Sequence, residues 1–146
     1  MSIFLGFIVL VAALLALLEI QIEGREGWAK NLPTWRLRGT WLNRLLGRQE
    51  FTGYHLHLNL LMLALFHLPV VVLGEWSWAL EARVLGGMMV MSVIEDFLWF
   101  VFNPRWKLRE FFAHQVPWHQ LWVGPFPGFY YTGLIIGWWL IYWSYR

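Results

Sequence analysis

Apolar residues run unbroken for most of four stretches of this chain, at about 3–21, 54–73, 80–102 and 129–143. Each is near the roughly 20 residues that carry a helix across a bilayer, the last at the short end. None alternates in the manner of a strand, so the pattern predicts four transmembrane helices. The polar stretch 23–51 separates the first two. Within it Thr40 is placed to cap a short helix with Trp41, Leu42, Leu45 and Leu46 on one face and Arg44 and Arg48 on the other, an interfacial amphipathic segment. Pro33 interrupts what precedes it. The link 74–79 is short, with Trp76 and Trp78 at the boundary. Asn103 and Pro104 end the third span, and the aromatic segment 105–128 leads to the fourth. The expected fold class is an all-α membrane protein: one domain over 1–146, four transmembrane helices and an interfacial amphipathic segment between the first and second.

Composition agrees. Hydrophobic residues make up 59% and charged residues 14%, where a soluble domain carries about 25% charge. Twelve Trp residues suit the membrane interface. With no Cys, disulfides, thiolate metal sites and cysteine nucleophiles are excluded. The first run lacks a basic leader and a small-residue cleavage site and reads as a retained helix. Arg25, Lys30, Arg36, Arg38, Arg44, Arg48, Arg105, Lys107 and Arg109 all fall on the side reached at the end of the first span; only Arg83 and Arg146 fall opposite. Basic loops stay cytoplasmic, so the long polar loops are expected in the cytoplasm, both termini on the non-cytoplasmic side, and the chain in an inner (plasma) membrane.

Glu95 and Asp96 break the apolar pattern of the third span. An acid at that depth costs several kcal/mol unless something answers it, and is functional by default. The pair lies roughly 10 Å inside the basic end of its helix. Glu19 and Glu23, four apart, lie near that end of the first span. His55 and His57 open the second there, with His55 and Asn59 on one face and His57 turned away. His114 and His119 precede the fourth, and His67 alone of the histidines lies on the far side. Carboxylates with imidazoles suit a divalent metal such as Fe, Mn or Zn, and four-helix frameworks build such centres from inward-facing Glu and His. The expected ligands are Glu19, Glu23, His55, Glu95 and His119, with Asp96 beside them and Glu95 and Asp96 as the catalytic pair. No Glu-x-x-His pair is present, so the di-iron carboxylate signature is missing. Plainer readings pair Glu19 and Glu23 with Arg25 or Lys30, pair Asp96 with Arg36, leave the histidines on backbone or in wet loops, and take Trp99, Trp118 and Trp122 as packing.

Several strings carry a resemblance: Glu23-Gly24-Arg25-Glu26-Gly27-Trp28-Ala29, Leu32-Pro33-Thr34-Trp35-Arg36, Thr52-Gly53-Tyr54-His55, Glu95-Asp96-Phe97-Leu98-Trp99-Phe100 through Asn103-Pro104, and Trp118-His119. Together the chain resembles a family of small, uncharacterised prokaryotic integral membrane proteins. The resemblance implies no activity, but it implies that these polar residues act as a set.

Two functions follow as expectations. One is a membrane metalloenzyme with a lipid or other apolar substrate, its basic rim drawing anionic head groups. The other is a non-catalytic structural or cofactor-binding subunit of a larger membrane complex, with membrane-protein partners. A third, an ion carrier, has little to build on without broken helices or an inverted repeat. Nucleic acid is not an expected partner, because topology explains the basic loop.

Overall fold

The computed structural model describes every residue except Arg25, Leu42 and 44–49. The described residues are mostly helical. α1 (Ser2–Glu23) ends at Gly24, whose left-handed φ of 65° turns the chain away. Two three-residue strands follow, β1 (Arg36–Arg38) and β2 (Glu50–Thr52), paired antiparallel with Arg36 opposite Thr52. α2 (Gly53–Phe66) begins at Thr52, whose side chain accepts from the His55 N–H. It stops at His67, because Pro69 supplies no N–H to continue the ladder; α3 (Leu68–Leu73) carries on in nearly the same run. α4 (Trp78–Phe102) is capped by Ser77 and closes on Asn103. A short α5 (Leu108–Phe112) and a hairpin of β3 (Trp122–Val123) and β4 (Phe126–Pro127) lead to α6 (Gly128–Trp143).

Three segments are long and apolar enough to cross a membrane: Ser2–Glu23, Gly53–Leu73 and Trp78–Phe102. The fourth apolar run forms α6, which has sixteen residues. Thr40 and Asn43 exchange capping bonds, the Asn43 N–H to Thr40 Oγ1 at 3.2 Å and the Thr40 N–H to Asn43 Oδ1 at 3.1 Å. The rest of the expected amphipathic helix, with Leu42, Arg44, Leu45, Leu46 and Arg48, lies outside the described residues.

α4 is the central element. Ile8 and Ala12 of α1, Met62 and Phe66 of α2, Met91 of α4 and Ile141 of α6 form one buried cluster. The basic end carries a second, aromatic one that includes Trp99, Phe100, Phe111, Trp118 and Tyr130. The α4–α6 crossing is close because it is lined by glycine. A Cβ on Gly86 would stand 2.6 Å from the Gly137 carbonyl oxygen, and a Cβ on Gly137 2.8 Å from Val90 Cγ2. Small residues let membrane helices approach to backbone contact in this way. At the opposite end from Glu95 and Asp96, Arg83 ties α4 to the C-terminal segment by donating to the Ser144 carbonyl at 2.9 Å, and it lies over the Tyr145 ring. His67 is at that end too, donating from Nδ1 to the Leu63 carbonyl with Nε2 facing Glu81 at 3.2 Å.

Candidate metal centre

Thr52 is both the cap of α2 and the support of His55. Its Oγ1 lies 2.6 Å from His55 Nδ1. With that nitrogen occupied, Nε2 is the free end, and it faces Glu23 Oε1 at 3.3 Å. Glu19 stands one turn before Glu23 on α1, so the two share a face. Tyr54 donates to Glu19 Oε1 at 3.2 Å. One donor atom from each of Glu19, Glu23 and His55 falls within 4.8 Å of the others. That is close to the roughly 4 Å across a coordination sphere with 2.0–2.2 Å bonds. From α4, the Glu95 carboxyl lies beside that of Glu19 in the same cavity. Two carboxyls in contact need a shared proton or a cation between them.

Adjacent residues on a helix point about 100° apart, so Glu95 and Asp96 serve different neighbours. Glu95 reaches α1. Asp96 Oδ2 accepts from the Tyr130 hydroxyl of α6 at 2.6 Å and meets His119 Nε2 at 3.1 Å. His119 is therefore not with the other expected ligands: its Nε2 is taken by Asp96, and it is absent from the cavity wall. Glu19, Glu23, His55 and Glu95 come together, with Asp96 at the edge. All five line one cavity of about 80 Å³, and no Lys or Arg is among its described lining residues.

Of the plainer ion pairings, those with Lys30 and Arg36 do not form, and Arg25 lies outside the described residues; the plainer reading of His57, His67 and His114 as backbone-bonded or exposed is what the structure shows. Lys30 pairs with Glu26. Arg36 pairs with Glu50, not Asp96. His57 donates to the Gly53 carbonyl and points away from the centre. His114 is exposed, stacked on Trp122 at 4.2 Å. Trp99 and Trp118 do more than pack, for both line the cavity. Three side chains of the candidate site were missed in the sequence: Thr52, Tyr54 and Tyr130. The first two flank the expected ligand in Thr-Gly-Tyr-His, where a capping threonine three residues before a histidine is a usable signal. Tyr130, in an aromatic run, carried none.

A strained loop roofs the centre. Gly27, Trp28 and Ala29 have φ of 60°, 49° and 51°, one turn of left-handed backbone costing roughly 1–2 kcal/mol at each non-glycine residue. Glu23 Oε1 accepts from the Ala29 N–H at 2.6 Å, and the Trp28 ring stacks on His55 at 4.1 Å. Gly27 has no room for a side chain: a Cβ there would lie 2.6 Å from the Trp118 ring. The Arg36 guanidinium holds the turn from above, donating to the carbonyls of Ala29 and Trp28 and to the Glu50 carboxylate. Such strain persists only where the surroundings over-determine it.

Glu50 gives the roof a pH dependence. Burial would raise its carboxyl, but hydrogen bonds from Arg38 and Arg36, and their charges, outweigh that and hold it below the ordinary value of 4.5. A group depressed on folding contributes stability above its unfolded pKa and loses it as pH falls through the folded one. Thermal midpoints of wild type and Glu50→Gln should therefore differ most near neutral pH and converge below about pH 4.5. A gap that stays constant down to pH 3 would show that the Glu50 charge contributes nothing.

No family model, curated protein or solved structure matches this chain. The geometry alone carries the functional reading.

Proposed function

We propose that this chain is a membrane-embedded metalloprotein that binds a divalent cation through Glu19, Glu23 and His55, with Glu95 completing the set, and acts on a lipid or other apolar substrate. One observation carries the reading: four acidic side chains and an imidazole share one cavity without a Lys or Arg among its described lining. Uncompensated, those carboxylates are prohibitive at membrane depth. Carboxylate and imidazole donors suit Fe, Mn or Zn. A divalent metal supplies Lewis acidity and a nucleophile at neutral pH. Thr52 holds the His55 ring by its Nδ1 and leaves Nε2 toward the cavity, as an outer partner does for a metal-bound imidazole. Asp96, with Tyr130 and His119, forms the route by which a proton leaves or enters beside Glu95.

In this reading α6 is the fourth crossing, the basic loops are cytoplasmic, both termini are outside, and the centre opens to the inner leaflet of a prokaryotic plasma membrane. The excess of Lys and Arg on one side supports that orientation.

Elemental analysis of the purified full chain tests the proposal. Wild type is expected to hold a stoichiometric transition metal. His55→Ala and Glu95→Ala should lower its content at least about tenfold, while His119→Ala should retain it. Wild-type protein free of such a metal overturns the reading. A second reading, a non-catalytic subunit, draws on the span Gly53–Leu73, of whose apolar window only 11% is buried, against 44% for Trp78–Phe102. Stoichiometric copurification of a membrane partner with metal-free protein would favour it.

A further inference from the structure

Two buried polar atoms at this cavity have no hydrogen-bond partner: Oε1 of Glu95 and the indole Nε1 of Trp99. Both residues line the cavity, and Trp99 is 4% exposed. They are four apart on α4, so their side chains stand one turn apart on one face. The chemistry of the pair is selective. An indole N–H only donates. A cation therefore answers the carboxylate and does nothing for the indole, which needs an acceptor to replace the water it lost on burial. An anionic acceptor is opposed by the surrounding carboxyls of Glu19, Glu23, Glu95 and Asp96. A neutral oxygen remains, either of water or of a bound molecule, and the apolar part of the wall decides between them. A carbonyl would answer Trp99 alone, whereas a hydroxyl accepts from Trp99 and donates to Glu95 at once.

The rest of the wall says what the hydroxyl is attached to. Leu15 lies one turn deeper than Glu19 on α1, and Met91 one turn deeper than Glu95 on α4. Leu58 and Met62 lie deeper than His55 on α2. The polar end of the cavity thus faces the basic side, and its apolar end runs toward the middle of the helices. About 80 Å³ is several times the roughly 10–15 Å³ that one water needs, enough for a hydroxyl with its first carbons.

We infer that the cavity binds the terminal hydroxyl of a long-chain aliphatic alcohol, with the oxygen between Trp99 Nε1 and Glu95 Oε1 and the chain along Leu15, Leu58, Met62 and Met91. This deepens the proposed function by naming its substrate class. It rests on the same cavity as the metal reading but not on the metal being there.

Photolabelling tests it. The full chain in lipid nanodiscs is irradiated with a decanol carrying a diazirine, and separately with the same chain ending in methyl. The alcohol should label peptides bearing Leu15, Leu58, Met62 or Met91, excess 1-decanol should suppress that label, and the methyl-ended probe should label them about tenfold less, the ratio that one well-made buried hydrogen bond gives. Trp99→Phe, which keeps a ring and removes the N–H, should bring the alcohol down to the methyl level. Equal labelling of wild type by the two probes overturns the inference, as does an alcohol preference undiminished in Trp99→Phe. Should that variant fail to fold, the ratio on wild type decides alone. Metal analysis of the same samples separates the two ideas. Metal-free protein that still prefers the alcohol sinks the metal reading only. Metal-loaded protein without the preference sinks the alcohol only.

Discussion

Arg36→Ala is expected to lower the thermal midpoint of the full chain by roughly 6–12 °C. The Arg36 side chain is 22% exposed and its partner Glu50 only 7%, so the pair is largely removed from water. Deleting one member of a buried pair costs about 3–5 kcal/mol, because the other is left charged and unanswered. Arg38, which also holds Glu50, offsets part of that. Against this, the same guanidinium holds the carbonyls of Trp28 and Ala29, and hydrogen bonds to charged groups contribute about 1.5–3 kcal/mol. A net loss of about 3 kcal/mol, at 2–4 °C per kcal/mol for a chain of this size, gives the range. The effect should extend beyond stability. The left-handed turn at Trp28 and Ala29 loses its clamp and the ring stacked on His55 is freed, so on the proposed reading metal affinity falls with it. Arg36→Lys separates shape from charge. A lysine ammonium is a point donor and does not span two carbonyls and a carboxylate as the planar guanidinium does, so it should recover less than half of the lost midpoint shift. A lysine variant as stable as wild type would show that charge alone holds the roof.

How much of this was readable beforehand depends on the length scale of the interaction. The apolar runs were legible because a membrane-crossing length imposes a pattern about twenty residues long, which three of them carry in full. The meeting of Glu19, Glu23, His55 and Glu95 was legible for a related reason: topology places polar residues of separate spans at one depth, where they have few alternatives but each other. The partition of the site was not. Whether His119 joins Glu95 or Asp96 depends on the azimuth of α4 against α6, which a span without a strong polar face does not declare. The pairing of Arg36 with Glu50 depends on strands three residues long, too short to show a period. The roof was the least readable part. Positive φ is expected of glycine and unusual for other residues, and nothing in Trp28 or Ala29 announces it. Glu23, Glu50 and Arg36 hold it from around: Glu23 accepts the Ala29 N–H, the Glu50 carbonyl accepts the Trp28 indole N–H, and Arg36 donates to the Trp28 and Ala29 carbonyls. Trp99 was set aside as packing because indoles are plentiful here. What distinguishes it is an unanswered N–H, a property of its neighbours and not of its own residue type.

Gly86→Leu is expected to separate α4 from α6 and to disturb the site from a distance. The obstacle at Gly86 is backbone: an added Cβ would lie 2.6 Å from the Gly137 carbonyl oxygen and 2.9 Å from Leu140 Cβ, and neither can swing aside as the tip of a flexible side chain can. Even alanine must push the helices apart, and overpacking of this kind costs roughly 1–3 kcal/mol. Leucine, with three more carbons in the same gap, should exceed it and lower the thermal midpoint by about 6 °C or more. The chemical consequence follows from where α6 begins. Tyr130 sits near its first turn and donates to Asp96 of α4, and Gly133 packs on Val93 between that bond and the crossing. When the crossing opens, the Tyr130–Asp96 bond lengthens, although Gly86 lies more than two turns from Asp96 on α4. Glu19, Glu23 and His55 belong to α1 and α2, and Glu95 lines the cavity they share rather than the α6 crossing, so on the proposed reading the metal stays. Gly86→Ala should therefore show a lowered midpoint with metal content near that of wild type. A variant as stable as wild type would mean that the two helices do not rest on glycine contact. Loss of metal in stably folded Gly86→Ala would mean that α6 supports the cation site as directly as α1 and α2 do.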